Sequence, residues 1–287
     1  MYPIVWSKGK YLHKDSLMFP LEERGLQFGD GVYEVIRVYR GDMYLLDEHI
    51  DRLYRSLKSI RITLNFTPEE VKGALKNIVE RNKVDEDAFI YLQVTRGSAA
   101  RDHLFPENVE PNIYAYVKRK KRPIELLEKG VKAITLKDER WDNCYIKSLN
   151  LLPNVLAKQL AADRGAFEAI LHRDNLVTEG SSSNIFLVKD DVIYTHPESK
   201  YILSGCVRSR VIHFANELGI NVREEPFHVS DIEKADEMFL TSSTSEIMAI
   251  VQVNDMTIGE GKPGEITRRL QKEYEKDAAI VQEEVSR

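Results

Sequence analysis

The chain has 287 residues, of which 43% are hydrophobic and 30% charged, and it carries a formal net charge of −5 at pH 7. That length supports one large domain or two modest ones, each with a real core, and the slight acidity, with both signs interspersed, argues against a nucleic-acid partner. Only Cys144 and Cys206 are present, which excludes a disulfide framework and gives no zinc-ligand spacing, so no metal is expected. No run approaches the ~20 apolar residues of a membrane span. The start, Met1-Tyr2-Pro3-Ile4-Val5-Trp6, lacks the basic and apolar regions of a signal peptide, so a cytoplasmic location without membrane contact is expected.

Along the chain, the first ~120 residues alternate strand and helix signals, as α+β and α/β domains do. Val32 to Tyr39 alternates with period two: Tyr33, Val35, Arg37 and Tyr39 share one face, and Val32, Glu34, Ile36 and Val38 the other. Arg40-Gly41-Asp42 reads as a tight turn into Met43-Tyr44-Leu45-Leu46, a hairpin. Asp47 to Ile60 spaces Ile50, Leu53, Leu57 and Ile60 as an amphipathic helix does. Thr67-Pro68-Glu69-Glu70 combines an N-cap threonine, a proline at the first helical position and a glutamate to close a capping box. Strands are expected at Phe89 to Thr95 and Ile113 to Val117. The basic stretch Lys118-Arg119-Lys120-Lys121-Arg122 and Pro123 reads as a solvated linker.

Beyond it, strands are expected at Val131 to Leu136, Glu168 to His172, Asn184 to Val188 and Val192 to Tyr194. Further ones fall at Val222 to Glu225, Glu237 to Thr241 and Ile247 to Val251. Helices are expected at Leu149 to Arg164, Cys206 to Leu218 and Gly264 to Lys276. Many short strands with few helices favour a barrel-like α+β second domain over a doubly wound sheet. Gly29-Asp30-Gly31 is not a dinucleotide fingerprint, because Val32-Tyr33-Glu34 supplies neither a third glycine nor a helix start.

Two stretches carry chemistry. In Cys144-Tyr145-Ile146-Lys147-Ser148-Leu149-Asn150 a lysine opens an apolar helix and could form a Schiff base. In Thr178-Glu179-Gly180-Ser181-Ser182-Ser183-Asn184 an acid enters a Gly-Ser-rich turn and could grip a pyridine nitrogen. Together they suggest pyridoxal 5'-phosphate, whose chemistry needs both groups and a set of phosphate donors.

With Arg24-Gly25-Leu26-Gln27-Phe28-Gly29-Asp30-Gly31, Glu48-His49-Ile50-Asp51-Arg52-Leu53, Val94-Thr95-Arg96-Gly97 and Thr241-Ser242-Ser243-Thr244-Ser245-Glu246, these stretches resemble the class IV (fold-type IV) pyridoxal-phosphate aminotransferases. The resemblance is strongest to the D-amino-acid branch and runs over nearly the whole chain. It implies an α+β fold of two domains: a smaller N-terminal α/β domain over residues 1–119, a linker at 120–125, and a larger barrel-like cofactor domain over 126–287. It implies that Lys147 carries the cofactor and that Glu179 partners its ring nitrogen, with Ser182 nearby. Arg52, Ser242, Ser243 and the turn at Gly205, Cys206 and Val207 would hold the phosphate, and Leu203 would pack on the ring. Relatives often have a threonine where this chain has Val207, so one hydroxyl donor is missing.

The resemblance further assigns Arg101 and His103, with Tyr33, to trapping the substrate α-carboxylate. These two come from a loop of the partner subunit, which implies a homodimer. Tyr91 and Val35 would line the side-chain pocket, and Thr244 would lie near the carboxylate. Leu152 stands five residues after the lysine, where branched-chain enzymes usually show a tyrosine. The expected reaction is D-alanine with 2-oxoglutarate to pyruvate and D-glutamate. The alternatives are a branched-chain L-aminotransferase and an aminodeoxychorismate lyase on the same scaffold.

Overall fold

The computed structural model describes residues 1–280. They form two compact units: residues 1–121 with 146–151, and residues 122–145 with 152 onward.

The first unit runs β1 (Ile4–Ser7), β2 (Lys10–His13), α1 (Arg24–Phe28), β3 (Gly31–Tyr39), β4 (Asp42–Met43), α2 (Leu46–Ser59), α3 (Pro68–Arg81), β5 (Ala88–Thr95) and β6 (Asn112–Arg119). Its sheet has the order β2-β1-β6-β5-β3-β4, antiparallel throughout. The alternation read in β3 holds: Val32, Ile36 and Val38 are fully buried in the main core, while Tyr33 and Val35 on the other face are half-buried. That core includes Ile50, Leu53 and Leu57 of α2 and Val71, Leu75 and Ile78 of α3. The capping box of α3 closes as expected, Thr67 N donating to Glu70 Oε2 at 2.7 Å and Glu70 N to Thr67 Oγ1 at 3.2 Å.

The expected hairpin after β3 is shorter than its sequence suggests. Arg40 and Gly41 take positive φ (48° and 96°), as a two-residue hairpin turn requires. Pairing then ends at Met43, because Leu45 turns left-handed (φ 55°) and Leu46 enters α2. The β1–β2 hairpin is not among the expected elements; four-residue strands leave too little alternation to read.

The second unit runs α4 (Ile124–Lys129), β7 (Val131–Lys137), α5 (Leu152–Asp163), β8 (Glu168–Arg173), β9 (Leu176–Gly180), β10 (Asn184–Lys189), β11 (Val192–Thr195), α6 (Cys206–Glu217), β12 (Asn221–Arg223), β13 (Glu237–Ser242), β14 (Glu246–Val253), β15 (Met256–Thr257) and α7 (Glu265–Asp277). Its sheet has the order β12-β11-β10-β13-β14-β7-β8-β9, with β15 against β14. The β11–β12, β14–β7 and β7–β8 pairs are parallel and the others antiparallel. This mixed sheet curls into a half-barrel, the expected barrel-like architecture. Ile170, Val177, Ile185, Leu240, Met248 and Ile250 fill one side of it.

Two readings need correction. The helix expected from Leu149 begins at Leu152, and Pro153 explains why. At the second helical position a proline loses nothing, but in a helix starting at Leu149 its ring would crowd the preceding turn. Lys147 therefore does not open a helix. The basic stretch is exposed only from Lys118 to Lys121; Arg122 is half-buried and donates to Glu246 Oε2 at 2.6 Å and Glu275 Oε1 at 2.8 Å. Neither cysteine forms a disulfide, and both are buried. Among the described residues no helix is long and apolar enough to cross a membrane, and no cluster of acids, histidines or cysteines could hold a metal ion.

Candidate active site

In the first unit, residues 147–149 run beside the start of β3. Tyr33 N donates to Lys147 O at 3.1 Å, Val32 bridges Ser148, and Leu149 N donates to Gly31 O at 3.0 Å. Backbone pairing with a strand therefore positions the lysine. Its half-buried side chain ends with Nζ 4.3 Å from the centre of the Tyr33 ring, a cation–π distance. Lys147 N also donates to Ser56 Oγ on α2 at 3.2 Å. Arg52 lies one turn earlier on the same buried stripe of that helix. The fold thus gathers Lys147, Tyr33 and Arg52, three residues distant in sequence.

Arg52 is held by Glu34, whose Oε1 accepts from Nε at 2.8 Å and whose Oε2 accepts from Nη2 at 2.7 Å. His49 Nδ1 lies 2.7 Å from Glu34 Oε2. Full burial would raise the Glu34 carboxyl, but the charge and hydrogen bonds of Arg52, aided by His49, hold it well below the usual carboxylate range. Glu34 and His49 escape the sequence reading, although Glu34 falls on the apolar face of β3, where an acid needs a buried partner.

Tyr33 stacks on Tyr91 with ring centres 5.8 Å apart, and Val35 stands directly opposite Tyr91 in the β3–β5 ladder. Arg101 and His103 are elsewhere. Both are exposed on the loop after β5 and flank Phe28, the guanidinium at 4.9 Å and the imidazole at 5.5 Å from its ring centre. Arg24 anchors that loop by donating to Asp102 O at 2.7 Å.

In the second unit, Glu179 lies near the end of β9 and is buried. Its Oε1 accepts from Arg140 Nη1, and its Oε2 accepts from Asn184 Nδ2 and from Leu203 N, each of these two at 3.1 Å. Burial pushes the carboxyl above the ordinary glutamate value, against the pull of Arg140 and the Leu203 amide. Arg140 is shared with Asp138, which accepts from Nε at 2.9 Å and Nη2 at 2.8 Å. Sequence reasoning singles out neither residue; an Asp-x-Arg pair just past a strand is a common surface pattern. The Leu203–Glu179 and Asn184–Leu203 hydrogen bonds bring Leu203 beside Glu179.

Ser182 belongs to a turn organised by buried Glu168. Ser181, Ser182 and Ser183 all direct their hydroxyls to this carboxylate, the last two at 3.3 and 2.9 Å, and Ser181 N adds a bond of 3.2 Å. Further along the chain, α6 begins at Cys206 with Gly205 as an N-cap that has no side chain to offer. A β-carbon on Gly205 would stand 2.2 Å from Asn184 Oδ1, so any other residue would push Asn184 from its place beside Glu179. Cys206 and Val207 are buried in the first turn. Ser242 and Ser243 follow Thr241 at the β13–β14 turn, where half-buried Thr244 also sits and Ser245 N donates to Ser242 Oγ at 3.1 Å.

Residues 31–253 match the family model of class IV amino-transferases. The chain is 46% identical over 267 residues to a D-alanine aminotransferase of Bacillus licheniformis, covering 93% of this chain and 94% of that one. It is 43% identical over 273 residues to a D-alanine aminotransferase of Staphylococcus aureus (strain N315), covering 95% and 96%. Among solved structures, an Escherichia coli branched-chain amino acid aminotransferase superposes with a TM-score of 0.91 at 24% identity, covering 100% of this chain and 98% of that one. The branched-chain amino acid aminotransferase of Thermobaculum terrenum, in its PLP-bound holo form, gives 0.86 at 25% identity, covering 97% and 94%. This chain belongs to the class IV aminotransferases.

Its cofactor is pyridoxal 5'-phosphate, and the residues present fit that group. The first unit offers a primary amine and a rigidly held guanidinium. The second offers a buried carboxylate already surrounded by donors, and a helix N-terminus that no side chain caps, which attracts an anion. The Thr241 hydroxyl, beside the Ser242–Ser243 turn, is buried without a hydrogen-bond partner, as befits a phosphate-bearing ligand's neighbourhood.

Proposed function

We propose that this chain transfers amino groups between D-amino acids and 2-oxo acids, taking D-alanine and 2-oxoglutarate to pyruvate and D-glutamate. The observation that carries the reading is the 43–46% identity to D-alanine aminotransferases over 93–95% of the chain. The branched-chain enzymes share the fold at 24–28% identity.

Bound pyridoxal phosphate supplies the aldehyde that takes up the amino group and an electron-poor ring that stabilises negative charge at the substrate α-carbon. Lys147 is the residue that bonds to the cofactor. The same Nζ would serve as the base that takes the substrate α-proton and later returns it. Glu179, held by Arg140, Asn184 and Leu203, offers a fixed negative charge to the ring nitrogen. Arg52, Ser182, Ser242, Ser243 and the backbone N–H groups of Cys206 and Val207 serve the cofactor; Val207 can contribute through its backbone alone. Leu203 packs on the ring. Arg101, His103 and Tyr33 hold the substrate α-carboxylate, with Thr244 nearby, and Val35 and Tyr91 line the side-chain pocket. Fixing the carboxylate decides which face of the α-carbon meets Lys147, and so which stereoisomer reacts.

We place Arg101 and His103 in the partner's site of a homodimer. Supporting this, both are exposed in their own chain and lie against Phe28, and the adjoining Leu104 and Phe105 are exposed too. A cytoplasmic location accords with two cysteines that form no disulfide.

The reading is tested by rapid mixing of the cofactor-loaded protein with D-alanine and, separately, L-leucine. With D-alanine the cofactor's visible band should shift to that of its amine form, and with L-leucine it should stay. The same shift with L-leucine alone would make the chain a branched-chain enzyme. No shift with either would favour the lyase. Lys147→Ala should abolish both the band and turnover.

A further inference from the structure

The sheet face of the first unit opposite α2 and α3 carries an ordered set of polar aromatic residues. Across β3, β5 and β6, Tyr33, Gln93 and Tyr114 stand directly opposite one another in one row, and Val35, Tyr91 and Tyr116 in the next. All six are half-buried, whereas Leu92, Val94 and Ala115 between them point into the core and are fully buried. Tyr33 stacks on Tyr91 and Tyr91 on Tyr116, with centres 5.8 and 5.2 Å apart. The row that begins beneath the Lys147 amine therefore leads to Gln93.

Gln93 is tied to two tyrosines through its carboxamide. Its Oε1 accepts from Tyr91 Oη at 2.8 Å and from Tyr114 Oη at 2.9 Å. Burial raises the Tyr91 phenol well beyond its ordinary value and the Tyr114 phenol to about 12, so both keep the protons that let them donate. A carboxamide oxygen has two lone pairs, and two hydroxyls occupy them. What remains is the Nε2 group with two hydrogens to give, on a residue whose Cβ is about 4.5–5.5 Å from that of Tyr33 by the geometry of opposed strand residues.

We infer that Gln93 is the specificity residue that reads the distal carboxylate of dicarboxylic substrates, donating through Nε2 while Tyr91 and Tyr114 hold its oxygen. This rests on the proposed reading, in which Tyr33 marks the α-carboxylate end of the substrate beside Lys147. From there the two methylenes of glutamate or 2-oxoglutarate extend along the row toward the amide. A neutral amide suits an enzyme whose two substrate pairs differ in this group. It favours a carboxylate through a charge-assisted hydrogen bond, yet with alanine or pyruvate it can be solvated without leaving a buried charge unpaired. Arg37, a cation on this face, is fully buried two rows from Tyr33 and donates to Lys120 O at 2.8 Å.

The test compares the cofactor-loaded wild type with Gln93→Leu, which removes the amide, and Gln93→Glu, which keeps the shape and repels a carboxylate. The ratio of kcat/KM for D-glutamate to that for D-alanine should fall about tenfold to hundredfold in Gln93→Leu, mainly through KM, and further in Gln93→Glu. Calorimetry supplies a readout independent of turnover. Glutarate, which has no amino group, should lose affinity in both variants by a similar factor, relative to butyrate. Equal losses for D-glutamate and D-alanine, or an unchanged ratio, would overturn the assignment. A wild type that turns over neither D-amino acid would instead overturn the D-amino-acid reading, and the role of Gln93 with it.

Discussion

Asp138 shows how one buried carboxylate can carry an acid-sensitive part of the stability. Burial pushes its carboxyl up, but two side-chain hydrogen bonds from Arg140, the Arg140 charge and backbone N–H, and the Thr178 hydroxyl pull it down to about 2. In the unfolded chain it titrates at about 4. A depressed native value means that the unfolded state binds the proton more readily, so stability from this group is present above about 4 and drains away as pH falls through about 2. Unfolding by urea at steps from pH 5 to pH 2 should show that slope, and Asp138→Asn should flatten it; an unchanged slope would assign the acid sensitivity elsewhere. Glu179 acts in the opposite sense, since burial raises its carboxyl and its ionisation therefore costs stability above the ordinary glutamate value. Arg140 is the cation both acids depend on. Replacing it with methionine takes the paired cation from buried Glu179 and leaves Asp138 with Arg173, 3.2 Å away, and should cost about 3–5 kcal/mol, read as a lower urea midpoint in the cofactor-free protein. A loss below about 1 kcal/mol would mean that water reaches these groups freely.

Elements differ in how openly the sequence declares them. The start of α3 is legible because its signals are local and redundant: Thr67 caps, Pro68 occupies the first position, and Glu70 reaches back. Thr67→Ala should therefore cost about 1 kcal/mol and lower Tm by about 2–4 °C without altering cofactor binding; a parallel loss of cofactor affinity would show that α3 reports to the site. The strand β3 is equally plain, because one face is wholly buried and the other is not. Where the sequence misleads, the deciding interaction is distant. Residues 147–149 look like a helix start by composition, but the adjacent β3 backbone takes up their hydrogen bonds, and Pro153 delays α5. The strand β9 hides behind Glu179-Gly180, which suggests a turn, although Val177, Thr178 and Glu179 are all buried in the sheet. The site is legible as residue types and spacing, with roles supplied by family resemblance. The residues that hold it in shape, Arg140 on Glu179, Glu34 on Arg52 and Glu168 on the serine run, join segments far apart in sequence and carry no local signature.

At the scale of the whole molecule, α5 poses the sharpest question. Leu152, Val155, Leu156 and Leu160 recur at the three- and four-residue spacing of one helical stripe, the pattern of a core-facing helix. In the single chain they are 69%, 58%, 62% and 37% exposed. Stripes of this size usually mark a surface that another protein covers, and the proposed homodimer names a second copy of this chain as that protein. Sedimentation should then give twice the 33.1 kDa chain mass. Replacing Val155 and Leu156 together by glutamate places two charges in the stripe and should shift the protein toward the single-chain mass. If Arg101 and His103 serve the partner's site, D-alanine turnover should fall in step with the dimer fraction and recover as protein concentration rises. The cofactor band should persist better than turnover does, because Lys147 belongs to the same chain. A wild type that sediments at the single-chain mass with full turnover would return Arg101 and His103 to their own chain, and a monomeric variant with undiminished turnover would do the same.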